Sequence, residues 1–226
     1  MKKLSVFVFL FFYCLCISSQ TINVHLKNGQ TVEYPSNSVE YINFTSTPTD
    51  PSVTAGEAID LGLSVKWSSC NLGATTPEGY GAYYSWGETT PKDEFRPNNY
   101  AYYDNEKEQY IDIGNDISGT PYDAARVNLG DEWRMPTNKE MNELIDKCKW
   151  EWSSINKTNG YLITGKNGNS IFLPAAERGQ EGKVLSYWTS TLSSELIVLT
   201  LNAYSGDVAK EWPAFRYYGL SIRPVK

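Results

Sequence analysis

Pro136-Thr137-Asn138-Lys139-Glu140-Met141-Asn142-Glu143-Leu144-Ile145-Asp146-Lys147-Cys148 carries the clearest period in the chain. Thr137 and Glu140 have the spacing of a capping box, in which a hydroxyl and a carboxylate satisfy each other's backbone N–H groups at a helix start. Met141, Leu144, Ile145 and Cys148 fall at i, i+3, i+4 and i+7, so a helix beginning at Thr137 buries one face and turns Cys148 inward. Downstream the period changes. Tyr161 to Thr164 and Ser170 to Leu173 flank the turn Gly165-Lys166-Asn167-Gly168-Asn169, which predicts a hairpin. Tyr187 to Thr191, Leu196 to Leu201 and Leu220 to Val225 read as further strands, with turns at Ser205-Gly206 and near Gly219. Upstream, Pro121 to Asn128 predicts a second helix with Asp123 in its first turn and Gly130 beyond its end. One helix, a run of strands and a second short helix point to the α+β class.

Working toward the N-terminus, Gly73 to Asn99 is loop-rich and aromatic, and Ala58 to Leu72 is strand-like. Thr45 to Gly56, with two prolines and many hydroxyls, reads as a linker. Before it, Ile22 to Leu26 and Thr31 to Tyr34 alternate polar and apolar residues around Asn28-Gly29, a β-hairpin signature. Val39 to Phe44 offers a third short strand. Met1-Lys2-Lys3, the apolar run Leu4 to Ile17 and the small residues Ser18-Ser19 form a secretory signal, so residues 1–19 are expected to be cleaved before Gln20. The run is shorter than the roughly 20 residues a membrane span needs, so no transmembrane anchor is expected in the mature chain. The segments are therefore 1–19 signal, 20–44 hairpin segment, 45–56 linker and 57–226 main domain.

The chain has 226 residues, 41% apolar and 20% charged, enough for a main domain with a real core. Its 20 basic and 26 acidic residues give −6, which becomes −8 once Lys2 and Lys3 leave with the signal. That balance offers no basic footprint, so no nucleic-acid partner is expected. The 14% aromatic share suits a β-rich exported protein. Cys14 and Cys16 lie in the signal, which leaves Cys70 and Cys148 in an oxidising compartment. A Cys70–Cys148 disulfide is the expectation, with two buried thiols the alternative. Two isolated cysteines do not make a zinc site.

Several phrases are more specific than their periodicity. Ala58 to Trp67, Ser69 to Ala74 and Tyr84-Ser85-Trp86-Gly87-Glu88-Thr89 resemble the opening of the Fibrobacter succinogenes major paralogous domain as it occurs in exported Bacteroidetes proteins. Asp123-Ala124-Ala125, Trp133 to Thr137, Gly165 to Gly168, Phe172 to Ala176, Tyr187 to Ser190 and Ser221 to Val225 continue the resemblance over nearly all of 57–226. It implies a C-type lectin-like fold: small antiparallel sheets, two helices, long loops and termini drawn together. The hairpin segment separately resembles a short β-rich leader found in such proteins. Neither resemblance carries an established reaction.

His25, the single histidine, lies in the hairpin segment, so the main domain has no Ser-His-Asp or Cys-His set of its own. No Gly-x-Ser-x-Gly, Walker A or Gly-x-Gly-x-x-Gly pattern occurs. Asp104, Glu106, Glu108, Asp112 and Asp116 supply charge without an EF-hand spacing and read as a solvated acidic loop. No metal and no cofactor is expected. The lectin sugar motif is missing too, since Arg96-Pro97-Asn98 places a cation at the ligand position and Trp188 is followed by Thr189-Ser190. The aromatic loops remain. Tyr83, Tyr84, Trp86, Tyr100, Tyr102 and Tyr103, with Tyr80 nearby, are the candidate ligand-contacting residues, against the plainer reading that Trp86 and half the tyrosines are core. Trp67, Trp133 and Trp188 read as core, and Arg134 and Arg223 as partners of buried carboxylates or carbonyls. The sequence thus points to an exported, non-catalytic binding or surface-assembly module meeting protein or glycan at the periplasm, cell surface or exterior. Its alternatives are a carbohydrate-binding lectin-like protein and an enzyme using paired carboxylates.

Overall fold

The computed structural model describes residues 21–25, 30–35 and 56–226, and the chain divides into two units, Met1–Ser46 and Thr47–Lys226. In the first, strands β1 (Thr21–His25) and β2 (Thr31–Pro35) pair antiparallel, with Thr21 opposite Pro35 and His25 opposite Thr31. This is the ribbon that the alternation predicts. Its Asn28-Gly29 turn, the run Val39 to Phe44, the signal at 1–19 and the linker up to Ala55 lie outside the described residues.

The second unit is α+β. Short ribbons pair β3 (Ala58–Ile59) with β4 (Trp67–Ser68) and β5 (Tyr103–Asp104) with β6 (Gln109–Tyr110). Helices α1 (Ala124–Leu129) and α2 (Asn138–Lys147) follow. Two antiparallel meanders complete the unit: β7 (Lys149–Ile155), β8 (Thr158–Thr164) and β9 (Ser170–Pro174), then β10 (Val184–Leu192), β11 (Ile197–Tyr204) and β12 (Asp207–Phe215). Among the described residues no helix is long and apolar enough to cross a membrane.

Helix α2 starts as its sequence dictates. Thr137 accepts from the Glu140 N–H at 3.3 Å, and the Glu140 carboxylate accepts from the Thr137 N–H at 2.8 Å. Met141 and Leu144 are buried, Ile145 packs partly, and Cys148 ends the helix. Helix α1 is shorter than predicted because Asp123, rather than Pro121, opens it: the buried Asp123 carboxylate accepts from Ala125 and Arg126 of α1, and from Gly119 and Met135 outside it. Gly130, at φ 94°, ends it.

Strand β10 organises the core. Successive side chains of a strand face opposite ways. Leu185 and Tyr187 enter one apolar cluster with Met141, Leu144, Ile163 and Leu173, while Trp188 enters another with Trp86, Ile117, Met135 and Ile222. The β10–β12 meander therefore separates two cores. Trp67, Trp133 and Trp188 are buried as expected. The C-terminal run Leu220 to Val225 is not a regular strand. It forms single bridges to Tyr84, Tyr187, Trp67 and Arg134, so the end of the chain closes against the start of this unit. Ala58 to Leu72 likewise contributes only the β3–β4 ribbon.

Four strands have no counterpart in the sequence reading, the two-residue β5 and β6 and the longer β7 and β12. Strand β7 follows α2 immediately, its Trp150 and Trp152 packing on the first core. In β12 a bulge hides the alternation: Thr200 faces Trp212 but Asn202 faces Ala209, with Glu211 at φ 55° between them. Glu211 then accepts from the Asn138 and Asn142 amides of α2, which ties the bulge to the helix.

The Gly165–Asn169 turn docks on the opening ribbon. Asn167 and Asn169 both donate to the Asp60 carbonyl at 2.8 Å. A methyl group at Gly165 would overlap the Leu61 carbonyl, so that approach requires glycine.

The expected Cys70–Cys148 disulfide does not form; both are free thiols. Their surroundings differ. Cys70 is buried with its sulfur 3.6 Å from the Ser69 hydroxyl, two residues from Ser68, whose carbonyl accepts from Arg223. Cys148 sits half-buried where α2 meets β7, its pKa raised by burial and then by Glu143. Helical period placed Cys148 inward without giving it a neighbour.

Candidate functional site around Arg216

Arg216 leaves the end of β12 and is only 2% exposed. Its backbone is fixed from two sides, donating to the Leu196 carbonyl and accepting from the Trp86 N–H. The guanidinium donates through Nε to the Tyr100 hydroxyl at 3.1 Å, through Nη1 to the Glu195 carbonyl at 3.4 Å and through Nη2 to the Ile111 carbonyl at 3.0 Å. Three rings surround it, with Trp86, Tyr110 and Tyr100 centred 5.1, 5.2 and 5.6 Å from the guanidinium carbon. Among the described residues no carboxylate pairs with it. A cation so buried is stabilised by ring quadrupoles and carbonyl dipoles.

The loops place these groups by local chemistry. A 3₁₀ turn at Pro97–Asn99, with the Asn99 side chain accepting from the Arg96 N–H, delivers Tyr100 inward. The Tyr100 hydroxyl donates to the Trp86 carbonyl at 2.6 Å. Burial pushes its pKa well above the ordinary phenol value, against the opposing pull of Arg216. Asp104 accepts from the Glu106 and Lys107 N–H groups and so closes the β5–β6 ribbon that presents Tyr110.

Arg216 forms part of the wall of a cavity of about 510 Å³. Tyr110 and Leu192 supply the other apolar walls, and Asp112, Asn115, Ser193, Ser194 and Glu195 a polar rim. A guanidinium has five N–H donors, and the three bonds above leave two. The site therefore offers donors on one wall, acceptors on the rim and an aromatic face between them. Beside it lies an exposed aromatic group: Phe215 stacks on Tyr217 at 5.6 Å, and Tyr218 meets both edge-on.

The sequence-predicted aromatics divide. Tyr84, Trp86 and Tyr100 are buried, which removes them from any exposed platform, as the plainer reading held for Trp86. Trp86 and Tyr100 act instead beneath the cavity. Tyr103 lies 5.0 Å from Tyr110, and Tyr102 packs edge-on against Tyr100 and Tyr122. Tyr83 belongs elsewhere, donating to Glu181 at 3.4 Å, with its pKa raised by burial first and Glu181 second. Of the acidic loop, Asp112 reaches the cavity, while Asp116 accepts from the Ser118 N–H. Among the described residues no cluster of ligating side chains could hold a metal. Arg216 was missed by sequence reading. Its signal was there: Phe215-Arg216-Tyr217-Tyr218 sets a cation inside an aromatic run.

A larger, shallower depression of about 1120 Å³ lies along α2. Two of its carboxylates are already paired, Glu140 with Arg134 at 2.5 Å and Glu143 with Lys147 at 2.7 Å. No family model, curated protein or solved structure matches the chain.

Proposed function

We propose that this chain is an exported, non-catalytic binding module of C-type lectin-like fold, related to the Fibrobacter succinogenes major paralogous domain, whose ligand site is the Arg216 cavity. The observation that carries the reading is a buried guanidinium held by neutral groups and opening, with donors to spare, onto a cavity with a polar rim. Two small antiparallel meanders, two short helices and a C-terminus closed against the opening ribbon support the fold assignment. Export rests on the apolar leader of residues 1–19, and a glycan or protein of the periplasm, cell surface or exterior is the partner class. The non-catalytic reading rests on the main domain's lack of histidine; Asp112 and Glu195 both line the cavity, and recovery of intact ligand is what separates binding from cleavage by a carboxylate pair.

Ser194 is exposed on the rim, so Ser194→Trp fills the cavity without touching the core. Native protein and this variant are probed on paired glycan and peptide arrays. The native protein should retain ligands that Ser194→Trp does not, and mass spectrometry should recover them intact. Equal retention by the variant, or cleaved ligand, defeats the reading.

A further inference from the structure

The cavity and the aromatic group beside it differ in what they offer. Cavity chemistry is bipolar: the Arg216 guanidinium can only donate, and the Asp112 and Glu195 carboxylates only accept. An anionic ligand drawn to Arg216 would meet both carboxylates at the rim, and a cationic one drawn to them would meet the guanidinium. A neutral polyol avoids both conflicts, because each hydroxyl donates and accepts. Ser193, Ser194 and Asn115 add groups of the same dual kind. The Tyr110 ring in the wall supplies the apolar face against which the C–H side of a pyranose packs.

The cavity does not end at Tyr110. Phe215 and Tyr217 flank the wall residue Arg216 in the chain, so both leave the backbone at the cavity's edge. Tyr217 stacks on Phe215, 38% exposed, and meets Tyr218, 41% exposed. Leu196 and Ile111, whose carbonyls bind the Arg216 backbone and side chain, are 45% exposed on the same margin. A ring wall thus continues into a strip of exposed rings.

From this juxtaposition we infer that the site takes a neutral oligosaccharide, one residue seated over Arg216 and the following residues lying along Tyr217, Phe215 and Tyr218. The inference rests on the cavity being the ligand site and adds the ligand class and a second binding region. Recognition runs through side-chain hydrogen bonds and ring faces, so a chelator does not abolish it.

The test uses the full exported chain on an array of neutral and uronate-bearing oligosaccharides of two to six residues, in EDTA, beside a peptide array. Neutral hexasaccharides should bind, and Ser194→Trp should abolish that binding. Tyr218→Ala, a surface change, should weaken hexasaccharides about tenfold and leave disaccharides unaltered, as expected for one lost ring contact in a distant subsite. If the ligands lost in Ser194→Trp are only uronates or only peptides, the neutral-oligosaccharide inference fails while the cavity reading stands. Hexasaccharide binding indifferent to Tyr218→Ala overturns the strip. No binding on either array, or binding that Ser194→Trp leaves intact, overturns the cavity reading itself.

Discussion

Arg223 and Arg216 are buried to nearly the same degree and make the same number of hydrogen bonds, yet they stand in opposite kinds of surroundings. Arg223 is fully enclosed, donating to the Asn71 side chain at 2.9 Å, the Ser68 carbonyl at 2.9 Å and the Phe172 carbonyl at 2.7 Å. It joins the opening strand region, β9 and the C-terminal run at one point. Arg216 is packed among three rings and forms part of a cavity wall. A buried cation that pins chain segments together is architecture, whereas one that lines a cavity has donors a ligand can reach.

That difference sets the largest expected effect. Arg223→Met strands the Asn71, Ser68 and Phe172 acceptors where water cannot follow and should cost about 3–5 kcal/mol. Arg216→Met should cost about half of that, because water in the cavity can solvate the Ile111 and Glu195 carbonyls. Denaturant unfolding of the two variants measures both, and equal losses would dissolve the distinction.

Arg134 supplies the contrast of a guanidinium with a true counter-ion. Its partner Glu140 is raised by burial but lowered further by Arg134 and the Thr137 N–H, ending below the ordinary value of 4.5. Glu143, bonded to Lys147 and then to the Ser64 hydroxyl and N–H, is brought down to about 2. Both carboxyls hold protons less readily folded than unfolded, so their contribution is full above pH 4.5 and is lost as pH falls toward about 2. The melting temperature should drop over that window. Glu143→Gln should flatten the drop, and a variant that keeps the full slope would place the acid sensitivity elsewhere.

What the sequence showed and hid follows from the range of the forces involved. Helix α2 was legible because capping and the i, i+4 stripe are local, and the β8–β9 hairpin because its turn residues sit between its strands. Arg223 was legible as a partner of buried groups from its place before Pro224. The role of Arg216 depends on Trp86, Tyr100 and Tyr110, which lie more than a hundred residues away in sequence, and no local pattern reports that meeting. The aromatic loops were correctly singled out as a group, but which rings lie under the cavity and which beside it is decided by packing.

A smaller effect tests the frame that carries both arginines. Thr137→Ala removes the acceptor for the Glu140 N–H at the start of α2 and should cost about 1 kcal/mol. Glu140 can still accept from residue 137 and still pair with Arg134, so the loss should not exceed the cap itself. A melt unchanged within error would mean that the Glu140 side of the box suffices.

The smallest expected effect is none at all, and it concerns the enclosed side of the comparison. Cys70 is buried two residues from Ser68, whose carbonyl accepts from Arg223, whereas Cys148 is half-buried at the end of α2, and neither is bridged. Reductant should therefore leave the melting temperature of the purified protein where it is. Thiol titration should find two reactive groups after denaturation. In the native state Cys148 should react first, and slowly, since burial and Glu143 disfavour its thiolate. Cys70 should react only as fast as the region around Arg223 opens, so its labelling rate reports how firmly that guanidinium holds its three segments together. A melt lowered several degrees by reductant would instead reveal a bridge closing the 70–148 loop, and the enclosure would then owe its stability to covalent restraint rather than to Arg223.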